Sequence, residues 1–161
     1  MTRIATVLST LSLLLMTACG SPPPPPPSVE DTTTGVQANP GDVEITEAVA
    51  WGISSSGSAT AGWHMTSATG DTLVEVTSPH GTTGLHDVIG GVMSSIPALA
   101  LDPGRRVTLG AGGPHVMITA MSEGYARGDS LTVTLRFARA GAVTMRLPVV
   151  RFTEAQSLLG R

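Results

Sequence analysis

Apolar and polar residues alternate with period two in a series of short runs from Asp42 onward, the spacing that turns one face of a β-strand to a core and the other to solvent. The clearest are LTVTLRF, which puts Leu131, Val133, Leu135 and Phe137 on one face, and AVTMRL, which does the same with Val143, Met145 and Leu147. Ala140-Gly141 lies in the connection between them. Upstream, VEITEAVAW alternates around Val43, Ile45, Val49 and Trp51, TAGWHMTSA resumes after ISSSGSA, and TLVEVTSP follows a Gly70-Asp71 turn. No long run has the 3.6-residue period of a helix. Seven to nine short strands at this spacing predict an all-β sandwich. Residues 42–152 form one domain of about 110 residues, enough to bury a core, and 153–161 carry no pattern and read as a tail.

Between these runs lies LHDVIGGVMSS, in which Gly90-Gly91 separates two β-prone stretches. Paired glycines supply the positive φ of a primed two-residue hairpin turn without steric cost. With the turn there, Val88 faces Met93 and His86 faces Ser95, so His86 and Met93 share a sheet face as diagonal neighbours roughly 7–8 Å apart. In HVMI, His115 and Met117 are two residues apart and also share a face if that segment is a strand. Two imidazoles and two thioethers can therefore converge. Thioether sulfur favours Cu(I), whereas hard cations take oxygen and structural zinc takes thiolate and imidazole. A single methionine in a sandwich is more often core filler than ligand; it is the four-residue constellation that favours metal.

The series His86, Met93, then His115-x-Met117 resembles the signature of the PCu(A)C family of extracytoplasmic copper chaperones, in which a His and a Met are followed after a long gap by His-x-Met. LDPGRRVTLGAGGPHVM and ARGDSLTVTLRFARAGAVTMRLPV look like the corresponding family stretches, and the resemblance spans roughly residues 42 to 150. It implies a cupredoxin-like Greek-key sandwich that carries Cu(I) on His86, Met93, His115 and Met117. It also implies delivery to another extracytoplasmic protein, usually during assembly of the copper centre of a respiratory oxidase. The His86 to Met93 interval is two residues shorter than the family's usual one. An even change keeps each side chain on its face.

The amino terminus changes where such chemistry would take place. Arg3, an apolar run from Ile4 to Met16 and small residues before Cys19 form a secretory signal over residues 1–18, too short to be read first as a spanning helix. Leu15-Met16-Thr17-Ala18-Cys19 resembles a bacterial lipobox, and Cys19, the only cysteine, stands where lipidation needs it; ordinary cleavage that leaves a free thiol is the alternative. Residues 19–41, with six consecutive prolines and then a polar stretch, read as a disordered linker. The expected place is the extracytoplasmic membrane face, or the periplasm where one exists. Thioethers suit an oxidising compartment in which exposed thiols would be consumed.

Composition removes other classes. The net charge is −3, all nine basic residues are arginine, and no basic patch or aromatic platform suggests nucleic acid. No thiol pair, no Ser/His/Asp arrangement and no cysteine for a blue-copper centre argue for an enzyme. A metal-free binding or structural sandwich is the remaining alternative. Of the other candidates, adjacent His64 and Met65 point to opposite faces and cannot share one ion without a bulge, one being packed and the other exposed. His80, after Pro79, reads as a solvated turn residue. Met145 belongs to a core pattern, and Met121 has the parity of Met117 farther along.

Overall fold

The computed structural model describes residues 29–30, 36–54 and 57–160. The signal sequence, Cys19 and the proline run lie outside the described residues. In chain order the strands are β1 (Val29–Glu30), β2 (Val36–Ala38), β3 (Val43–Ser54), β4 (Ser58–Ser67), β5 (Asp71–Thr77), β6 (Thr82–Ile89), β7 (Val92–Ser95), β8 (Leu99–Leu101), β9 (Val107–Thr108), β10 (His115–Thr119), β11 (Ser130–Phe137) and β12 (Gly141–Pro148). One helix, α1 (Phe152–Leu159), follows. The alternating patterns do form the expected sandwich. One sheet runs β1-β12-β11-β5-β8 and the other β2-β3-β4-β10-β6-β7, with β9 paired to β4. The longer runs are those the sequence pattern marks. The two- and three-residue pieces at the edges carry too few positions to show a period.

Leu131, Val133, Leu135 and Phe137 of β11 and Val143, Met145 and Leu147 of β12 are all buried, in one cluster with Ile45, Trp63, Met65, Val116 and Ile118 of the facing sheet. Each side chain of this kind contributes about 1.5–3 kcal/mol when fully buried. This cluster fixes which face of the second sheet remains outside, because Leu85, Val116 and Ile118 point inward and their neighbours His86, His115 and Met117 must point outward.

Three segments depart from the sequence reading. In β3 the register shifts between Thr46 and Val49, with Glu47 at φ +56°. That bulge reverses the parity, so Val43 and Ile45 share the inter-sheet core with Ala48 and Ala50, while Val49 and Trp51 pack outside against Ala155 and Leu159 of α1. The segment expected to be a tail is thus a helix lying over the outer face of β3 and β4. Its amphipathic stripe is too short to announce itself in sequence. Finally, the expected linker of residues 19–41 holds two short strands: Val29–Glu30 pairs in parallel with β12, and Val36–Ala38 pairs with β3 and buries Ala38.

Candidate metal centre

Gly90 and Gly91 have φ of +61° and +82°, and the hairpin they close sets Val88 opposite Met93 and His86 opposite Ser95, the register that the sequence predicts. On its other side β6 pairs with β10, and there His115 stands directly opposite His86 and Met117 opposite Gly84. The imidazoles of His86 and His115 stack with centroids 5.9 Å apart and planes inclined by 24°. Met117 lies two residues along β10 on the same face. Met93 also lies on this face, diagonal to His86, but it is 54% exposed at the hairpin, beside exposed Ile89 and Val92. The two histidines and Met117 are therefore neighbours on adjoining strands, and Met93 stands at the rim.

Hydrogen bonding prepares the rings unequally. Nδ1–H of His115 donates to the Gly113 carbonyl oxygen at 2.8 Å, which leaves the Nε2 lone pair available. The Gly112-Gly113-Pro114 segment thus orients His115 as well as leading into its strand. Nδ1 of His86 is buried and has no hydrogen-bond partner. A buried ring nitrogen without a partner costs about 1–3 kcal/mol, and a metal ion would remove that cost. Among the described residues no three His, Cys, Asp or Glu side chains gather at one point. Beyond its two imidazoles, this face can offer only thioethers as side-chain donors of comparable softness, a set suited to Cu(I) over zinc or a hard cation.

The other described histidines and methionines serve the fold. Both His64 and Met65 are buried, contrary to the expectation that one would be exposed, because α1 covers the outer face of β4. His80 sits in a turn as expected but is half-buried rather than solvated: Tyr125 Oη lies 2.6 Å from its Nδ1, with the rings edge to face. Met145 is buried as the pattern predicts. Met121 loses its parity with Met117 because Ala120, at φ +54°, ends the strand and turns Met121 into the core. A cavity of 370 Å³ under α1, lined by Trp51, Phe152, Leu159 and the Gly110–Gly113 backbone, has no titratable side chain in its wall.

With this geometry in place, comparison with known proteins decides the family. The LpqE-like family model matches residues 36–149. The chain belongs to the LpqE-like family. No curated protein matches it in sequence. Among solved structures, the apo PCuAC domain from PmoF1 is 20% identical, with a TM-score of 0.64 over 72% of this chain and 99% of that one. The copper-bound PCuAC domain from PmoF2 is 24% identical, with a TM-score of 0.62 over 72% and 98%. The solution structure of CuI-DR1885 from Deinococcus radiodurans is 20% identical, with a TM-score of 0.54 over 73% and 82%. This LpqE-like protein therefore has the fold of PCuAC domains, and the cupredoxin-like sandwich implied by the PCu(A)C resemblance stands.

Proposed function

We propose that this LpqE-like protein is an extracytoplasmic Cu(I) carrier that takes one ion on the outer face of β6 and β10 and passes it to a copper-accepting protein. His86 and His115 supply imidazole nitrogen, Met117 supplies a thioether beside them, and Met93 completes the set from the hairpin rim. The observation that carries the reading is the direct pairing of His86 with His115 beside Met117. Sandwiches of the same fold that hold copper, the PmoF2 domain and CuI-DR1885, support it. Neutral imidazole and thioether bind moderately and resist oxidation better than a thiol, which suits an ion that must be released again. The chain's part is to hold and orient donors, and it has no need of a catalytic group. Lipid at Cys19 and the proline run would keep the carrier at the membrane within reach of an acceptor such as a respiratory oxidase subunit or its assembly factor.

Titration of Cu(I) against a competing chelator under reducing conditions tests this directly. One equivalent should bind, zinc should compete poorly, and affinity should fall as acid is added, because protons compete for the imidazole lone pairs. A protein that takes up no Cu(I), or binds it equally well from neutral pH to strong acid, would end the proposal.

A further inference from the structure

Gly84 sits in the interior of β6, where glycine weakens a strand and packs nothing, and its backbone does not require it, since its φ lies outside the left-handed region. The reason for glycine lies in its neighbour. A Cβ at position 84 would stand 2.9 Å from Cε1 of His86, 3.6 Å from Nδ1 and 3.7 Å from Nε2. The imidazole of His86 thus lies across the bare backbone of Gly84, on the strand position that faces Met117. Gly62 on β4 gives a contrast, because a Cβ there would meet the Leu109 carbonyl oxygen at 2.3 Å and Trp51 at 2.9 Å, so its constraint is the fold itself. At Gly84 the three nearest atoms all belong to one side chain that can rotate away. The fold can accept a methyl group here; the ring cannot stay where it is.

We propose that Gly84 is a positioning residue of the metal centre: its missing side chain is the seat that holds the His86 ring against His115 and toward Met117. The inference rests on the copper-carrier reading for its consequence, but the seat itself belongs to the metal-free protein. A side chain at 84 lifts His86 off the seat and leaves the ion with His115 and Met117 as its inner donors. Glycine is thus kept against strand propensity at the one place where a ligand must lie flat.

The test uses Gly84→Ala in the full chain, with His86→Ala and the double variant beside it. Gly84→Ala should unfold at the same temperature as the unmodified protein or higher, since alanine suits a strand better. Its Cu(I) affinity should fall about 10- to 100-fold, the range seen when a group that orients a metal ligand is lost. In the His86→Ala background the same change should have no further effect on affinity, which a general loss of stability would not produce. In the metal-free protein, imidazole proton shifts measured by NMR should show His86 leaving the His115 ring. Unchanged ring shifts in Gly84→Ala would overturn the seat, as would copper affinity equal to that of the unmodified protein. Failure of the unmodified protein to bind Cu(I) would instead remove the carrier function, with the ring shifts still deciding what Gly84 does.

Discussion

Nε2 of His64 on β4 lies 3.3 Å from the carbonyl oxygen of Leu158 in α1. A carbonyl can only accept, so Nε2 carries a proton, and in the neutral ring Nδ1 accepts from the Thr108 hydroxyl at 2.8 Å. His64 thereby ties the end of the helix to the sheet, and burial favours its neutral ring. Burial holds its pKa below the ordinary 6.5, with Arg106 adding to the effect, while the Leu158 hydrogen bond and Glu47 oppose it. The folded state therefore resists a proton that the unfolded chain accepts below 6.5. Stability contributed by His64 is complete above that pH and declines as pH falls from 6.5 through the depressed folded value. Unfolding measured between pH 8 and 5 should show this decline, and His64→Gln should flatten it.

Glu154 governs a lower pH range. It accepts two hydrogen bonds from Arg127, at 2.7 and 3.2 Å, and one from the Arg151 backbone N–H at 2.8 Å. Chiefly through Arg127, these pull its pKa from 4.5 down to about 2. Its contribution is present above 4.5 and is lost as pH falls from 4.5 through about 2. Since the pair is exposed and screened, the effect is local. Glu154→Gln should raise amide hydrogen exchange in α1 at neutral pH, with little change in β11 and β12.

Legibility in the sequence followed the strength of the local pattern. The hairpin register at Gly90-Gly91 was readable because primed turns demand those residues, and β11 and β12 because four and three buried positions recur at period two without interruption. The reading of β3 failed at Glu47, where one inserted residue reverses the faces and no glycine marks the bulge. The burial of His64 was hidden for a linked reason: α1 is held by Trp51 and Val49, which face outward only because of that bulge. The pairing of His86 with His115 lay beyond local pattern altogether, since β6 and β10 are separated by three other strands in the chain. The resemblance grouped the two histidines; the sheet shows that they are directly opposed.

Cys19, outside the described residues, bears on where the domain works. Cys19→Ser removes the only acceptor for a lipid in the chain. The expected result is release from the membrane fraction or accumulation of an unprocessed precursor, with Cu(I) binding unchanged because the proposed donors lie in the folded domain. Membrane fractionation and the mass of the mature protein read both effects. Identical partitioning and mass in the variant would rule out the anchor.

Met117 and Met93, the proposed thioether donors, differ from Met145 in burial and face. Replacing any of them with leucine keeps volume and apolarity, so the packing loss should stay under about 1.5 kcal/mol. Met145 is fully buried between the sheets, and Met145→Leu should register in thermal unfolding while leaving Cu(I) affinity unchanged. Met117 sits on the outer face beside the histidine pair, so Met117→Leu should barely move the unfolding transition and should lower affinity by at least about tenfold, or ~1.4 kcal/mol, as a soft donor is lost. Met93 is 54% exposed and only diagonal to His86, so in the proposed centre it would be the weakest donor. Met93→Leu should therefore reduce affinity less than Met117→Leu does, and leave the one-to-one stoichiometry intact. Chelator competition and thermal unfolding run together on the three variants distinguish these outcomes. Copper binding by Met117→Leu that equals that of the unmodified protein would remove Met117 from the proposed centre and leave the two histidines with only the rim thioether of Met93 beside them.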